Sequence, residues 1–391
     1  MSAAPIVIAA GGTGGHVYPA MALANVLLGR GHRVVLASDA RGAAIPGLDE
    51  RIEPMLVRVE QLGRNPLALA RSVIVLAAAF VVGSVRLRRL RPAVVVGFGG
   101  YSSVPIMLAA VAAGTPTLIH EQNAVLGRAN RLLANRVNAV ATSFAGTTRL
   151  TGAAAGRARV AGNPVRAGVV AVADAPYDTP SPDGRVGILV MGGSQGAHVF
   201  AEMVPAALAR LSPAERERLE VVQQCRPEDL DATREAYEKL DMAAELASFF
   251  EDVPRRLVRA DLVICRSGAS TIAELCALGR PALLVPYPHA ADDHQTSNAR
   301  SVVRAGGAWL LPEDTLTPAV LATHLSRLLA DPQALRAAAA ASRRAGHPDA
   351  ADRLADMVEG LMAARGDPVE RNDTEAKDRP GADQLLREAM Q

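Results

Sequence analysis

The sequence predicts an α/β chain made of two similar parallel-sheet domains, and three observations lead there. Pro5-Ile-Val-Ile-Ala-Ala10, apolar and uncharged, runs into Gly11-Gly-Thr-Gly-Gly-His16 and then into Val17–Leu27, which has helical composition. Strand, glycines, helix is how a parallel sheet presents a helix N-terminus to an anionic ligand. The pattern then returns: Arg185-Val-Gly-Ile-Leu-Val-Met191 leads into Gly192-Gly-Ser-Gln-Gly196 and His198, and a doubled opening argues for a doubled domain. Apolar strands in both halves also end in polar clusters, at 97–103 and 120–123, then at 266–274 and 289–298. Ligands of parallel sheets bind beyond the carboxyl ends of strands, so two such faces directed at one another make a cleft for joining two anionic substrates.

Size and composition agree. At 391 residues the chain is long for one domain, and 49% hydrophobic content is enough for substantial cores. A net charge of +2 gives no electrostatic footprint for nucleic acid. Cys225, Cys265 and Cys276 have no CxxC spacing and suit buried thiols in a reducing compartment. Met1–Pro5 lacks the basic region of a signal peptide.

In chain order, His32–Asp39 reads as the second strand, while 51–64 matches no pattern. Pro66–Val85 is an apolar helix with Arg71 as its only charge, long enough to raise a membrane-spanning reading. That reading is rejected, because the strand at Ala93–Gly97 would then lie across the membrane from its partners, and Arg71 at depth costs about 2.5–3.5 kcal/mol. A helix resting on a bilayer, with Arg86-Leu-Arg-Arg-Leu-Arg91 beside anionic lipid, is the preferred alternative to a buried core helix. Strands follow at 115–120 and 137–142, and Asn163-Pro164 breaks regular structure near a domain boundary. Residues 173–183 read as a surface connection. In the second half, strands are expected at 185–191, 220–225, 260–265 and 281–286, a strand into a loop at 246–253, and helices at 272–278, 318–345 and 350–364. The polar stretch 366–391 reads as a disordered tail with a transient helix at 382–390.

Single motifs are weak. Gly12-x-Gly14 lacks the third glycine of a dinucleotide fingerprint, Val17 standing there, although Asp39 has the place of a ribose-binding carboxylate; its plainer reading is a solvated strand end. The absence of Gly-Lys-Ser/Thr excludes a P-loop, and no ligand spacing calls for a metal or other cofactor. A nicotinamide oxidoreductase using Asp39 and a non-catalytic membrane adaptor resting on 66–91 are the competing classes.

The ordered set is specific. Gly11-Gly-Thr-Gly-Gly-His16, Gly97-Phe-Gly-Gly-Tyr101, His120-Glu-Gln-Asn123, Gly162-Asn-Pro-Val-Arg166, Gly192-Gly-Ser-Gln-Gly196, Arg266-Ser-Gly-Ala269 with Glu274, and Asp293-His-Gln295 through Asn298-Ala299 closely resemble the MurG family of bacterial cell-wall N-acetylglucosaminyltransferases, over about 5–360. The resemblance implies a GT-B fold, two Rossmann-like domains with parallel sheets facing a central cleft. It implies an N-terminal acceptor and membrane-facing domain over 1–163, joined by a returning helix at about 346–364, and a UDP-GlcNAc domain over 164–345. It further implies inverting transfer of GlcNAc from UDP-GlcNAc to undecaprenyl-pyrophosphoryl-MurNAc-pentapeptide, on the cytoplasmic face of the cell membrane, with other cell-wall synthesis proteins as possible partners.

By the same resemblance, Thr13, Gly14 and Gly15 face the lipid-linked acceptor and donor sugar, and Asn123 contacts sugar. Arg166 and Ser194 lie near the donor phosphates, and the backbone amide at Phe250 reads uracil. Ala269, Ser270, Thr271 and Glu274 form the donor loop, with Glu274 on the ribose hydroxyls, and Gln295 meets a GlcNAc hydroxyl. His294 stands where some members carry a second Gln. Direct inversion needs a general base. His16 is the candidate, with loop or phosphate hydrogen bonding as its alternative; Glu121 is the second candidate, or else orients its loop. His120 and His289 read as structural. Tyr101 is either an acceptor contact or a buried aromatic.

Overall fold

The computed structural model describes residues 4–12, 14–43, 47–59, 65–193 and 197–365. The chain divides into two compact units: the residues through Ala167 together with 347–365, and Gly168–Gly346. This boundary leaves Arg166 in the first unit.

The first unit holds a seven-stranded parallel sheet of order β3-β2-β1-β4-β5-β6-β7. Its strands are β1 (Ile6–Ala9), β2 (Val34–Ser38), β3 (Glu53–Leu56), β4 (Val94–Gly97), β5 (Thr117–Glu121), β6 (Ala139–Thr142) and β7 (Ala158–Val160). β1, β2, β4 and β5 are buried throughout, as expected when helices cover both faces. Side-chain alternation divides the core into two layers. Ile6, Ile8 and Val94 meet Leu23 and Leu27 of the helix Gly14–Gly29 and Leu354 and Val358 of the helix Ala350–Arg365. On the other face Val7, Ala9 and Val95 meet Ile106 of Ser103–Ala112 and Leu87 of Pro66–Leu90. The late helix is pinned by Arg30 to Asp352, Asp356 and Glu359, and by a buried His32–Glu359 contact of 2.9 Å.

Pro66–Leu90 is two-faced. Ser72, Ala79, Gly83 and Leu87 turn inward, and a Cβ on Gly83 would come within 2.9 Å of Ile106 Cδ1. Val73, Ile74, Val81, Val82 and Val85 are exposed, Ile74 by 68%. Over Ala70–Leu90 the mean hydropathy is 1.8 and 22% of the most apolar window is buried; length and composition suffice to cross a membrane.

The second unit holds a six-stranded parallel sheet of order β10-β9-β8-β11-β12-β13. These are β8 (Val186–Met191), β9 (Leu219–Gln224), β10 (Ala244–Ala247), β11 (Leu262–Cys265), β12 (Ala282–Leu284) and β13 (Ala308–Leu310). Arg343 ties the stretch after the boundary to this unit by donating to the carbonyls of Ala173 and Ala175, both at 2.6 Å, and Arg280 does so at Pro176, 2.8 Å.

Several elements depart from the sequence reading. β3 lies in the stretch without a pattern, because an edge strand needs only one apolar side chain, Met55, facing the core. β7 and β13, three residues each, are too short to show a period. The helix expected over 318–345 is two, Pro318–Ala330 and Pro332–Ala345: Pro332 cannot continue a helix, and Asp331 restarts one by accepting from Ala334 N at 3.0 Å. The expected tail, 366–391, lies outside the described residues, as do Thr13 and Ser194.

Candidate active site

Each sheet reverses strand order once, between β1 and β4 and between β8 and β11, and open parallel sheets take ligands at such points.

In the first unit the loops after β1 and β4 close on each other. Gly11 N donates to Gly99 O at 2.9 Å, and a Cβ on Gly100 would stand 2.6 Å from Gly11 Cα. Gly99 and Gly100 have φ of 84° and 80°. Only glycine meets both demands. The His16 ring, in the first turn of Gly14–Gly29, lies over this backbone: a Cβ on Gly99 would be 3.4 Å from Cε1. His16 Nδ1 is 3.1 Å from Gln122 Oε1. Gln122 Nε2 donates to Phe98 O and lies near His120 Nδ1, each at 3.0 Å, and His120 Nε2 is 2.9 Å from Gly162 O. His120 is fully buried; burial pushes its pKa down to about 4, the neighbouring His16 acting the same way and the Gly162 carbonyl opposing. Three polar clusters of the first half therefore meet at His16.

Glu121 turns to the other side of β5, as strand alternation requires. It is 2% exposed and accepts from Asn123 N (3.0 Å), Asn123 Nδ2 (3.3 Å), Gly127 N (2.8 Å) and Asn130 Nδ2 (2.8 Å). A carboxylate with its oxygens committed to four donors orients the loop; that geometry does not suit a proton acceptor. Asn123, expected on sugar, is held by this carboxylate. Asn130 was not singled out from sequence, since one Asn within a helix carries no signal. Tyr101 is 39% exposed, which removes the buried-aromatic reading. Gly14 and Gly15 open the helix, and nothing lies within 4 Å of a Cβ placed on Gly15. The Arg166 guanidinium is 6.0 Å from the Tyr18 ring centroid.

Asp39 is not a solvated strand end. At 8% exposure it accepts from Arg41 N and Gly42 N, both at 3.1 Å, and from Arg41 Nη2 at 3.0 Å. Burial opposes its charge, yet these partners hold the carboxyl below its ordinary value. A Cβ on Gly12 would fall 1.9 Å from its Oδ1, so the carboxylate fills the space beside the glycine turn.

In the second unit, β11 leads through Arg266–Gly268 into the helix Ala269–Leu278, whose first turn points its N–H groups out of the switch point. Ser270 Oγ is buried with no hydrogen-bond partner among the described residues, Thr271 is half-buried, and Glu274, 7% exposed, lies one turn on along the same face. Two residues of the motif set to which the sequence assigned no role stitch this loop to the next. Ser267 Oγ donates to Gln295 O at 2.9 Å, and Asn298 Nδ2 to Ser267 O at 3.1 Å. Gln295 Oε1 accepts from Tyr287 N at 3.0 Å, which turns its amide nitrogen the other way. Arg266 anchors the base of the loop on the carbonyls of Val285 and Pro286 and on Glu313. Asp292 and Asp293 hold φ of 55° and 51°, successive strained residues before the helix His294–Arg304. His294 Nδ1 contacts Ala291 O at 2.8 Å, and His289 is exposed beside the Tyr287 ring, not structural in the core. The Phe250 ring is buried, with the Arg256 guanidinium 4.1 Å from its centroid. Gly192 and Gly193, φ 81° at the latter, follow β8.

One switch point thus carries a titratable ring on a glycine loop, the other an anion-accepting helix start with a buried carboxylate. The family model described as the glycosyltransferase family 28 N-terminal domain matches residues 6–142, and that of the C-terminal domain matches 187–354. The chain belongs to glycosyltransferase family 28. Within the family it is 54% identical over 354 residues to a Rhodospirillum rubrum protein, covering 90% of this chain and 91% of that one. It is 52% identical over 358 residues to one from Paramagnetospirillum magneticum, covering 91% and 96%. Both relatives carry the name UDP-N-acetylglucosamine--N-acetylmuramyl-(pentapeptide) pyrophosphoryl-undecaprenol N-acetylglucosamine transferase. The crystal structure of Acinetobacter baumannii MurG matches with a TM-score of 0.74 at 30% identity, covering 91% of this chain and 99% of that one. The two Rossmann-like units are those of a GT-B glycosyltransferase of the MurG group.

Proposed function

We propose that this chain moves GlcNAc from UDP-GlcNAc to the 4-hydroxyl of MurNAc in undecaprenyl-pyrophosphoryl-MurNAc-pentapeptide, with inversion at the anomeric carbon. The observation that carries this is identity of 52–54% over nine tenths of the chain with relatives named for that transfer. The second unit holds the donor: Glu274 accepts from the ribose hydroxyls, Ser270 and Thr271 with the first turn at Ala269 meet the phosphates, the amide at Phe250 reads uracil, and Gln295 meets the sugar. Arg166 and Ser194 add charge and hydrogen bonds at the UDP leaving group. The first unit holds the acceptor at Thr13, Gly14 and Gly15, with Asn123 on sugar. His16 takes the proton of the acceptor hydroxyl as its oxygen bonds to the anomeric carbon; the bond from that carbon to the β-phosphate oxygen breaks, and its electron pair leaves with UDP. Glu121 positions the loop.

The acceptor is anchored in lipid, so the enzyme works at the cytoplasmic face of the membrane. The exposed face of Pro66–Leu90, Ile74 and Val82 among it, rests on the bilayer, with Arg86, Arg88 and Arg89 near anionic headgroups.

Incubation with labelled UDP-GlcNAc and a polyprenyl-pyrophosphoryl-MurNAc-peptide tests the activity; label should move to the lipid with one UDP released per transfer. A thermal shift with NAD(P)H and none with UDP would overturn it. Co-sedimentation with anionic vesicles, weakened in an Ile74→Lys, Val82→Lys variant, tests the membrane face.

A further inference from the structure

We propose that Gln122 and His120 fix the tautomer of His16, so that its proton sits on Nδ1 and Nε2 presents the lone pair that accepts the acceptor's proton. This rests on the reading of His16 as general base, and goes beyond it by naming two positioning residues and the state they impose.

The chain of hydrogen bonds starts at a group of single polarity. The Gly162 carbonyl can only accept, so His120 Nε2, 2.9 Å away, carries the proton. A neutral imidazole has one N–H, which leaves His120 Nδ1 bare. Full burial keeps the ring neutral, its pKa pushed down to about 4. The bare Nδ1 accepts from Gln122 Nε2 at 3.0 Å. Phe98 O, also at 3.0 Å and also only an acceptor, demands the same orientation of the amide. Gln122 Nε2 lies 3.2 Å from His120 O as well, a third acceptor for its two hydrogens. Gln122 Oε1 must then face His16 Nδ1, 3.1 Å away, and the only proton that satisfies that contact is one on Nδ1. His16 Nε2 is left unprotonated.

An amide suits this place. It orients the ring but cannot ionise, so the proton taken from the acceptor stays on His16 and leaves later to water. A carboxylate there would favour a charged ring at rest, unable to accept. Period-two alternation on β5 separates the two chemistries: His120 and Gln122 turn toward His16, while Glu121 turns toward Asn130. The ring also lies beside the backbones of Gly11, Gly99 and Gly100, and among the described residues His120 is a titratable group coupled to it.

Nitrogen-15 histidine spectra of the full chain read the tautomers directly. At a pH where both rings are neutral, His16 should appear with its proton on Nδ1 and His120 on Nε2. In Gln122→Ala, His16 should move toward the Nε2–H form, and kcat should fall roughly tenfold to a hundredfold at unchanged KM for UDP-GlcNAc. Gln122→Glu keeps the acceptor, so it should hold the Nδ1–H tautomer and move the acid limb of the pH–rate profile upward. An Nε2–H His16 in the parent protein overturns the proposal even if Gln122→Ala does not fold. A tautomer unmoved by Gln122→Ala does so too. If the tautomer responds as expected but His16→Ala keeps full kcat, the general-base reading fails instead, and the two failures are told apart.

Discussion

The turns after β1 and β8 have nearly the same residues, Gly-Gly-Thr and Gly-Gly-Ser, at equivalent places in two parallel sheets, but their surroundings differ. Around the first, the groups that aim His16 and Glu121 are held by the protein itself: the Gly11–Gly99 bond, the chain from His16 to Gly162, and Glu121 with its four donors, although Asn130 Oδ1 and the Asn163 amide are buried without partners among the described residues. Across the second switch point, the helix start at Ala269 leaves N–H groups and the buried Ser270 Oγ to be satisfied by something that binds. A group aimed before substrate arrives is what proton transfer needs. Groups left unsatisfied until a ligand arrives are what binding energy needs, because burying them unpaired is costly. On the proposed reading, one fold, used twice, serves proton transfer in one unit and donor binding in the other.

The largest expected effect separates the two. His16→Ala should lower kcat by roughly 10²–10⁴-fold while UDP affinity by calorimetry stays as it was; a matching loss of UDP binding would break the contrast. A pH series tests whether the site in the first unit is organised in advance. Folded His120 takes a proton only near pH 4, an exposed histidine near 6.5, so the unfolded chain binds more protons between them. Stability should therefore fall as pH drops from 6.5 toward 4, by up to about 3 kcal/mol, and His120→Gln should flatten that part of the thermal-melt series.

Glu274→Ala should weaken UDP binding by roughly ten- to a hundredfold, and abolish the UDP-dependent thermal shift at moderate ligand, with the His16 spectrum unchanged. Paired glycine substitutions give the smallest and sharpest contrast. Gly100→Ala meets both a φ of 80° and the Gly11 backbone, whereas Gly193→Ala meets a φ of 81° with nothing within 4 Å. The first should cost about 1–3 kcal/mol in melts and displace the His16 ring; the second should cost about 1 kcal/mol. Equal costs would show that the first turn is no more tightly built than the second.

Much of this was legible in advance, for identifiable reasons. β1, β4 and β11 are buried throughout and β8 nearly so, so each is an apolar run that ends at a glycine-containing turn. The late strands β7 and β13 are too short to carry a period, and β3 lies at a sheet edge where half its residues face water. The split at Asp331-Pro332 is local too, but it lies within a long alanine-rich stretch whose composition reads as continuous helix. Among the site residues, His16 and Glu274 stand out by chemical type at a glycine turn or a helix start, whereas Ser267, Asn130 and Asn298 do not. Their importance comes from what they reach, and their partners lie up to 31 residues away in sequence.

Sequence alone determined the two-domain α/β plan, the positions of both glycine turns and the family, because strand burial, turn chemistry and motif order are local properties of the chain. Strand alternation puts Glu121 and Gln122 on opposite sides, but tertiary structure alone decided that Asn130 meets the one and His16 the other, that Asp39 fills the space beside Gly12, and that one side of the long apolar helix packs on Ile106 while the other stays uncovered. Each of these depends on which distant group lies at hydrogen-bonding or packing distance, and no local pattern encodes that.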